Sequence, residues 1–412
     1  MPLRKLVLDF NAFFASCEQQ MKPQLRGKPV AVVPVMADTT CAIAASYEAK
    51  KFGIKTGTII KDAKKLCPEL LIVQARHRIY IEYHNRLVSA VKSCIPVDSV
   101  LSIDEMACTL MGKQQKKENA IALALQIKKE IREQVGEYLK CSIGLAPNQF
   151  LAKTATDMQK PDGLVVIEEK DLPQCLYKLK LNDLVGIGRR MEPRLRKFGI
   201  DSVEKLCNAS KSLLRRVWGG IEGERYYSQL RGEVVSRPPT HRSTISHSHV
   251  MSPEHRTMDG AYAVLHRLLQ KAAMRLRYME YAAGSMSIGV RFLDGGKWRN
   301  EASFSFTQDT IVLIKIFDAL WDELKNKKYK PIKVYVAFYN LVPEELITPS
   351  FFEDYDKIKS LNTAVDKLNK KFGYGAAYYG GSHAALKSAP MRIAFTQIPD
   401  VEIEEDDIEE QV

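Results

Sequence analysis

Residues 3–10 read LRKLVLDF, a short apolar stretch with a single acid, Asp9, near its end. A run of this length and composition predicts a buried β-strand. Residues 97–110 read VDSVLSIDEMACTL and predict a second strand, in which Asp104 and Glu105 stand among apolar neighbours. Two strands that each bring acids into an apolar setting predict a sheet with a charged site on it.

The segments around these strands alternate between strand-like and helix-like patterns. Apolar residues recur every fourth position in the stretch 118–138, which predicts an amphipathic helix that packs on a sheet. The other elements predicted in this half are strands at 28–33 and 142–145 and helices at 47–52, 78–91 and 148–159. Such alternation is typical of a fold in which helices cover a sheet.

The remainder of the chain changes character twice. Residues 168–235 consist of short, basic helical pieces separated by glycines, and residues 236–243 have the Pro-rich composition of an exposed linker. Strand and helix patterns return at 244–345. Residues 346–412 hold one further helix and an end with eight acids from residue 398 onward, which we expect to be a disordered tail. The predicted fold class is therefore multidomain α+β.

The composition favours a polyanionic partner. The chain has 412 residues, a net charge of +12 and 45% hydrophobic residues, which is enough for several cores because single domains rarely exceed about 250 residues. Between residues 236 and 340 it has sixteen Lys and Arg against nine Asp and Glu. Clustered cations gain affinity for nucleic acid by displacing counterions from phosphates. A solvated basic face is the alternative.

The cysteine and hydropathy patterns argue against several protein classes. All eight cysteines precede residue 208 and none forms a C-x-x-C pair, so neither a zinc site nor a disulfide framework is indicated. The first residues lack the apolar length of a signal peptide, and no run reaches the roughly 18 apolar residues of a membrane span. We therefore expect a cytoplasmic protein without a membrane partner.

Asp9, Asp104 and Glu105 are the candidate ligands of a divalent metal site. Mg²⁺ prefers carboxylate oxygens, and two such ions can neutralise a nucleoside triphosphate and position an attacking hydroxyl. Successive residues of a regular strand point to opposite faces, so Asp104 and Glu105 can share one site only if the chain bends there. The alternative is that each acid merely ends a strand or occupies a turn.

Four ordered motifs resemble those of the Y-family (translesion, DinB/UmuC-like) DNA polymerases. They are LDFNAFFAS at 8–16, SYEAKKFG at 46–53, SIDE at 102–105, and SIGLAPNQFLAK at 142–153, which continues to DMQKPDG at 157–163. The resemblance implies a right-hand polymerase. Its parts would be a ferredoxin-like palm (1–11 and 76–167), small fingers (12–75), a helical thumb (168–235), a linker (236–243), an α+β little finger (244–345) and a C-terminal extension (346–412).

The resemblance also implies roles for single residues at the catalytic site. Asp9, Asp104 and Glu105 would hold two Mg²⁺ ions, for which Mn²⁺ could substitute, together with the backbone carbonyl of Phe10. The residues implied to bind the incoming nucleotide are Phe13, Phe14, Tyr47, Lys50 and Lys160. Phe14 would be the steric gate, a ring that leaves no room for a 2′-hydroxyl, although an ordinary core phenylalanine is the alternative.

Two positions depart from the family pattern. The family usually has Arg where this chain has Lys50, so a bidentate fork is replaced by a single ammonium group. An exposed helix lysine is the alternative interpretation of that position. Asn11 stands where the family often has a second Asp, at a position that resembles a non-ligand, so we expect no loss of activity from it.

The second half of the chain is implied to bind primer–template DNA. LVGIG at 184–188, followed by two arginines, resembles a helix-hairpin-helix, in which a Gly-rich turn brings backbone amides close to a phosphate. The expected DNA contacts are Gly186, Gly188, Arg189, Arg190 and Arg242. Phe351 and Phe352 stand where many relatives have a sliding-clamp peptide and would fill a hydrophobic groove on the clamp. Local packing of these two rings is the alternative.

The implied function is template-directed, low-fidelity translesion DNA synthesis from deoxynucleoside triphosphates, by a bacterial monomer without proofreading. The small residues of TTCAIAA at 39–45 would leave space for distorted base pairs, although small residues also suit tight packing. A catalytically silent adaptor that binds DNA and the clamp is the first alternative. A nucleotide cyclase or another palm enzyme that uses no template is the second.

Overall fold

The structure is a computed structural model that describes residues 2–236, 241–324, 329–347, 355–389, 393 and 398–399. Its first half alternates strands and helices, as the sequence predicts. In chain order these elements are β1 (Lys5–Phe10), α1 (Phe13–Met21), β2 (Val30–Val33), β3 (Ala44–Ala45), α2 (Tyr47–Lys51), α3 (Ile60–Leu66), β4 (Leu71–Gln74), α4 (His77–Lys92), β5 (Ser99–Ser102), β6 (Glu105–Thr109), α5 (Lys117–Gln134), β7 (Cys141–Ala146), α6 (Gln149–Met158) and β8 (Leu164–Val166).

The second half begins with four short helices and continues with a second α+β unit. Its elements are α7 (Met191–Lys197), α8 (Val203–Asn208), α9 (Lys211–Trp218), α10 (Ile221–Leu230), β9 (Thr244–Val250), α11 (Met258–Tyr278), β10 (Tyr281–Phe292), β11 (Lys297–Thr307), α12 (Thr310–Trp321), β12 (Pro331–Pro343) and α13 (Tyr355–Phe372). None of the helices in the described part of the chain combines the length and the apolar character needed to span a lipid bilayer.

The first strand lies at the centre of a five-stranded sheet with the order β5-β6-β1-β7-β8. Because side chains alternate along a strand, Leu6 and Leu8 of β1 enter the core formed with α4 and α5, whereas Val7 enters the core formed with α6. Asp9 belongs to the same set as Val7 and therefore lies on the α6 side. This alternation determines which helix can contact the acid.

Two further sheets and the helical region complete the described fold. A three-stranded sheet has the order β3-β2-β4, and a four-stranded antiparallel sheet has the order β11-β10-β12-β9. Apolar residues of α11 and α12 form the core that covers the four-stranded sheet. Helices α7 to α10 pack around buried residues such as Leu195, Leu206 and Leu214. The observed architecture is the α+β multidomain class that the sequence predicts.

The C-terminal helix α13 and the segment that follows it pack against α11. Arg277 of α11 makes a bidentate ion pair with Asp366 of α13, at 2.6 and 2.7 Å. Gln270 donates to the hydroxyl of Ser382 at 2.9 Å, and Lys271 donates to the carbonyl of Ala389 at 2.9 Å. The extension is therefore anchored to the second α+β unit by buried polar contacts.

Two local predictions differ from the structure. The single strand predicted for 97–110 is a hairpin of β5 and β6, because Ile103 and Asp104 form a turn between them. On the predicted amphipathic helix, Ile127, Ile131 and Val135 of the predicted stripe are buried, whereas Leu123 is only partly buried and Ala120 and Ala124 complete the buried face.

Candidate functional site

The end of β1 and the turn between β5 and β6 bring the three predicted acids together. Asp9 lies directly opposite Glu105 in the antiparallel pairing of β1 with β6. Directly opposed residues of an antiparallel pair project from the same face. The amide of Phe10 donates to the carbonyl of Asp104 at 2.8 Å. Asp104 occupies the turn, so the chain has the bend that a shared site requires.

Two hydrogen bonds hold the turn in place. The buried ring of His84 on α4 contacts the carbonyl of Ile103 through Nδ1 at 2.7 Å. The hydroxyl of Ser102 donates to Oδ1 of Asp104 at 2.7 Å. The sequence gives no sign of the His84 contact, because nothing in the pattern of α4 relates that residue to a turn nineteen positions later.

Two lysines offset part of the negative charge of the acids. Lys153 of α6 pairs with Oδ2 of Asp9 and, at 3.0 Å, with Glu105. Lys160 pairs with Oδ1 of Asp9 at 2.8 Å. Asp157 contacts both ammonium groups, at 3.3 Å from Lys153 and 2.7 Å from Lys160. The sequence analysis gives no role to Lys153 or Asp157, although their i, i+4 spacing on a predicted helix was a usable signal.

The pKa shifts follow from this arrangement of charges. Burial raises the pKa of Asp104, and the neighbouring charges of Asp9 and Glu105 raise it further. Burial alone would lower the pKa of Lys153, but the carboxylates of Asp9, Asp157 and Glu105 outweigh it, so the pKa is raised. The pKa of Lys160 is raised in the same way. The acids form one strongly negative site that requires cations.

The donor set fits a hard divalent cation. Asp9, Asp104 and Glu105 offer carboxylate oxygens, the ligand type that Mg²⁺ and Mn²⁺ prefer. Among the residues that the structure describes, no three acid, His or Cys side chains are already arranged as the ligands of one ion. The ammonium groups of Lys153 and Lys160 contact the carboxylate of Asp9.

The predicted triphosphate contacts converge beside the acids. Tyr47 and Lys50 lie on the short helix α2, whose first turn is capped by Ser46. The ammonium group of Lys50 lies 4.2 Å from the centre of the Tyr47 ring. Burial lowers the pKa of Lys50 and the charge of Lys160 lowers it further, whereas the carboxylate of Asp9 acts in the opposite direction. Burial also raises the pKa of Tyr47.

Phe14 lies against a buried aromatic and ionic cluster. Its ring stacks on Tyr80, with centroids 4.5 Å apart and planes at 16°. The hydroxyl of Tyr80 donates to the fully buried Glu18 at 2.8 Å, and Glu18 pairs with Arg76. Phe13 is buried and contacts Phe14 with ring centroids 5.8 Å apart.

A cleft of about 800 Å³ joins most of these groups. It is lined by Asp9, Phe10, Asp104, Phe13, Phe14, Lys50 and Lys160, but not by Glu105 or Tyr47 within the described part of the chain. Ala42, Ala44, Ala45 and Gly57 line it as well, so small side chains border the space. Lys271, Arg275 and Lys333 of the second α+β unit also line it. The cleft therefore combines carboxylates with basic residues from both α+β units.

The predicted DNA contacts lie elsewhere on the surface. Gly186 adopts a positive φ of 86° in an exposed turn, and Gly188, Arg189 and Arg190 follow it, exposed, before α7. Arg242 is exposed just before β9. None of these five residues is among those that line the cleft within the described part of the chain. Phe351 and Phe352, part of the linker (237–240) and residues 400–412 lie outside the described residues.

Sequence comparisons match nearly the whole chain to one family. The impB/mucB/samB family model matches residues 8–157, the IMS family HHH motif matches 169–200, and the impB/mucB/samB family C-terminal domain matches 242–348. DNA polymerase IV of Moorella thermoacetica is 31% identical over an alignment of 379 residues that covers 89% of this chain and 93% of that protein. DNA polymerase IV 1 of Bacillus subtilis is 28% identical over 89% of this chain and 90% of its own length.

Solved structures of Y-family polymerases also superpose on this chain. A Y-family DNA polymerase chimera of Dbh and Dpo4 superposes with a TM-score of 0.68 at 24% identity, over 82% of this chain and 99% of the chimera, which shows the shared fold. An insertion ternary complex of Dbh DNA polymerase superposes with a TM-score of 0.54 at 25% identity, over the same shares. The chain belongs to the impB/mucB/samB family and is a Y-family DNA polymerase.

Proposed function

We propose that this chain copies damaged template DNA by low-fidelity translesion synthesis with two divalent metal ions. The observation that carries the proposal is that Asp9 and the turn residue Asp104 line one cleft with Lys50 and Lys160, while Glu105 lies directly opposite Asp9 on the neighbouring strand. The family relatives named DNA polymerase IV support the choice of reaction.

Each group in the cleft has a proposed task. Asp9, Asp104, Glu105 and the carbonyl of Phe10 would hold two Mg²⁺ ions, or Mn²⁺ in their place. When bound, such ions stabilise negative charge on the triphosphate and activate the primer hydroxyl. Tyr47, Lys50 and Lys160 donate to the triphosphate oxygens, and Phe14 lies against the sugar. Basic residues of the second α+β unit that line the cleft hold the primer–template through its phosphates. The arginines of the turn at 186–190 do the same.

Other features of the proposal rest on the family and on composition. Small residues such as Ala42 and Ala44 leave room for distorted base pairs, and we propose that the enzyme lacks proofreading. We further propose that it acts as a cytoplasmic bacterial monomer and that Phe351 and Phe352 bind a sliding clamp. The retention of all three acids argues against a silent adaptor.

Primer extension with Asp104→Ala tests the proposal. The variant should extend a primed template at least about 100-fold more slowly than the wild type, since several kcal/mol of charge stabilisation are lost. Asp98→Ala is the matched control, because Asp98 lies on the same segment but pairs with Lys5 instead of facing the cleft. Extension should depend on added Mg²⁺ and on the template strand.

Two outcomes would contradict the proposal. Equal extension by the wild type and Asp104→Ala would place the catalytic site elsewhere. Nucleotide incorporation that ignores the template sequence would instead favour a template-free palm enzyme. A lesion-bearing template tests the translesion part separately. Synthesis that stops at every lesion would show a polymerase that cannot bypass damage.

A further inference from the structure

Asp9 has an ammonium group at each of its two carboxylate oxygens. Lys153 pairs with Oδ2, and Lys160 pairs with Oδ1 at 2.8 Å. The Asp9 side chain is only 8% exposed, so water screens these charges poorly. A divalent cation that approaches either oxygen would meet a neighbouring positive charge at close range. The lysines and the cation therefore compete for the same acid.

Lys160 and Lys153 differ in their access to the cleft. Lys160 lines the cleft, and its side chain is 29% exposed. Lys153 is 16% exposed, is not among the cleft-lining residues of the described chain, and also pairs with Glu105. A triphosphate that enters the cleft can therefore contact Lys160, whereas Lys153 stays behind the acids.

Resting on the proposed function, we propose that Lys160 is an exchangeable counter-charge. In the nucleotide-free protein its ammonium group occupies Oδ1 of Asp9. When a triphosphate binds, Lys160 transfers to the phosphate oxygens and leaves that carboxylate oxygen to a divalent cation. Nucleotide and cation then bind with positive coupling, because each favours the state in which Lys160 has left Asp9. Until a substrate arrives, Lys160 offsets part of the negative charge of the acid site.

Mn²⁺ binding to the nucleotide-free, DNA-free full chain tests this exchange, with free Mn²⁺ measured by electron paramagnetic resonance. Lys160→Met removes the charge and keeps much of the side-chain length. It should bind Mn²⁺ roughly fivefold or more tightly than the wild type, the lower end of typical coupling between sites. Lys160→Arg keeps the positive charge and should retain the weak binding of the wild type.

Lys205→Met is the matched control. Lys205 pairs with Asp201 at 2.8 Å, the distance of the pair between Lys160 and Asp9, but neither Lys205 nor Asp201 is among the residues that line the cleft in the described part of the chain. Its loss should leave Mn²⁺ affinity unchanged. Circular dichroism melting curves establish that each variant is folded, and Lys160→Gln replaces the methionine variant if that one unfolds.

The outcomes separate this inference from the proposed function. Equal Mn²⁺ affinity of Lys160→Met and the wild type, or an equal gain in Lys205→Met, overturns the exchange. Asp9→Asn, introduced into Lys160→Met, tests whether Asp9 is a ligand. It should abolish the tighter Mn²⁺ binding of Lys160→Met. If Asp9→Asn leaves Mn²⁺ binding intact in the Lys160→Met background, Asp9 is not a ligand and the proposed two-metal function is wrong as well.

Discussion

The position of the Phe14 ring is set by groups behind it that the sequence analysis did not identify. Tyr80 stacks under the ring, and its hydroxyl is fixed by the buried Glu18, which is paired in turn with Arg76. The Glu18 carboxylate is held strongly because it is buried and accepts from both Arg76 and Tyr80. Removing either donor would leave the carboxylate short of a hydrogen-bond partner away from water. Phe14 therefore rests on a rigid support.

Replacing Phe14 by Ala should raise ribonucleotide incorporation relative to deoxyribonucleotide incorporation by roughly tenfold or more, as expected when one group that fills a pocket is removed. The ring would no longer exclude a 2′-hydroxyl. Single-nucleotide insertion kinetics with paired ribo- and deoxyribonucleotides measure the ratio. Phe198→Ala, an exposed phenylalanine of the helical region, is the control. An unchanged ratio in Phe14→Ala would remove the steric-gate assignment.

His247 on β9 shows how burial makes stability depend on pH. Its Nε2 is buried and has no hydrogen-bond partner within the described residues. Burial lowers its pKa to about 3, and the charges of Arg275 and Lys271 act in the same direction. The unfolded chain has a histidine pKa near 6.5, so folding favours the neutral ring. The stabilisation is complete above pH 6.5 and is lost as the pH falls toward 3.

The free energy of unfolding should therefore decline below pH 6.5, with His247 contributing at most about 1.4 kcal/mol per pH unit. The partial exposure of the ring makes this value an upper bound. Urea unfolding of the full chain, followed by circular dichroism above and below pH 6.5, measures the decline. His247→Gln should reduce it, whereas His383→Gln, at an exposed position, should not. The same slope in His247→Gln and the wild type would contradict this account.

At the scale of elements, the approach of α6 to β7 positions Lys153. Gly144 of β7 lies so close to α6 that an added Cβ would stand 2.0 Å from the carbonyl oxygen of Ala152 and 2.8 Å from the Cβ of Ala155. Only glycine allows this distance between strand and helix. The helix in turn carries Lys153 to the acids of β1 and β6.

Gly144→Ala should lower the free energy of unfolding by about 1–3 kcal/mol, the cost of overpacking a closely packed core. The displaced helix should also weaken the contact between Lys153 and Glu105. Thermal unfolding of the full chain measures the first effect. Gly188→Ala is the control, since a Cβ there meets no atom within 4 Å. Equal melting temperatures for both variants would show that α6 can move without cost.

The turn between β5 and β6 could not be predicted from the hydrophobic pattern. It consists of Ile103 and Asp104 and contains neither Gly nor Pro, the strongest turn signals in a sequence, while one Asp between two apolar runs is a weak signal. The apolar run therefore predicts one continuous strand. The chemical requirement that Asp104 and Glu105 share a site identified the need for a bend that periodicity alone could not detect.

At the scale of the whole molecule, local patterns predicted the α+β class, and the four motifs identified the family. They did not predict contacts between distant segments. Lys153 reaches Asp9 across 144 positions, and His84 reaches a turn that belongs to another element. Such contacts depend on strand order and helix packing, which no single stretch encodes. The assignment of metal, nucleotide and DNA contacts to single residues stays a prediction for the experiments above.

The central position of β1 has a consequence for synthesis of the protein on the ribosome. The first strand to emerge has no neighbour until β6 and β7 have been made, the latter ending at Ala146. Once β6 is complete it can pair with one edge of β1, but the other edge stays open until β7 is made, a state prone to misassociation. A nascent chain cut short before β7 would therefore carry all three acids without the second neighbour of β1, so truncated products should associate through that open edge instead of folding.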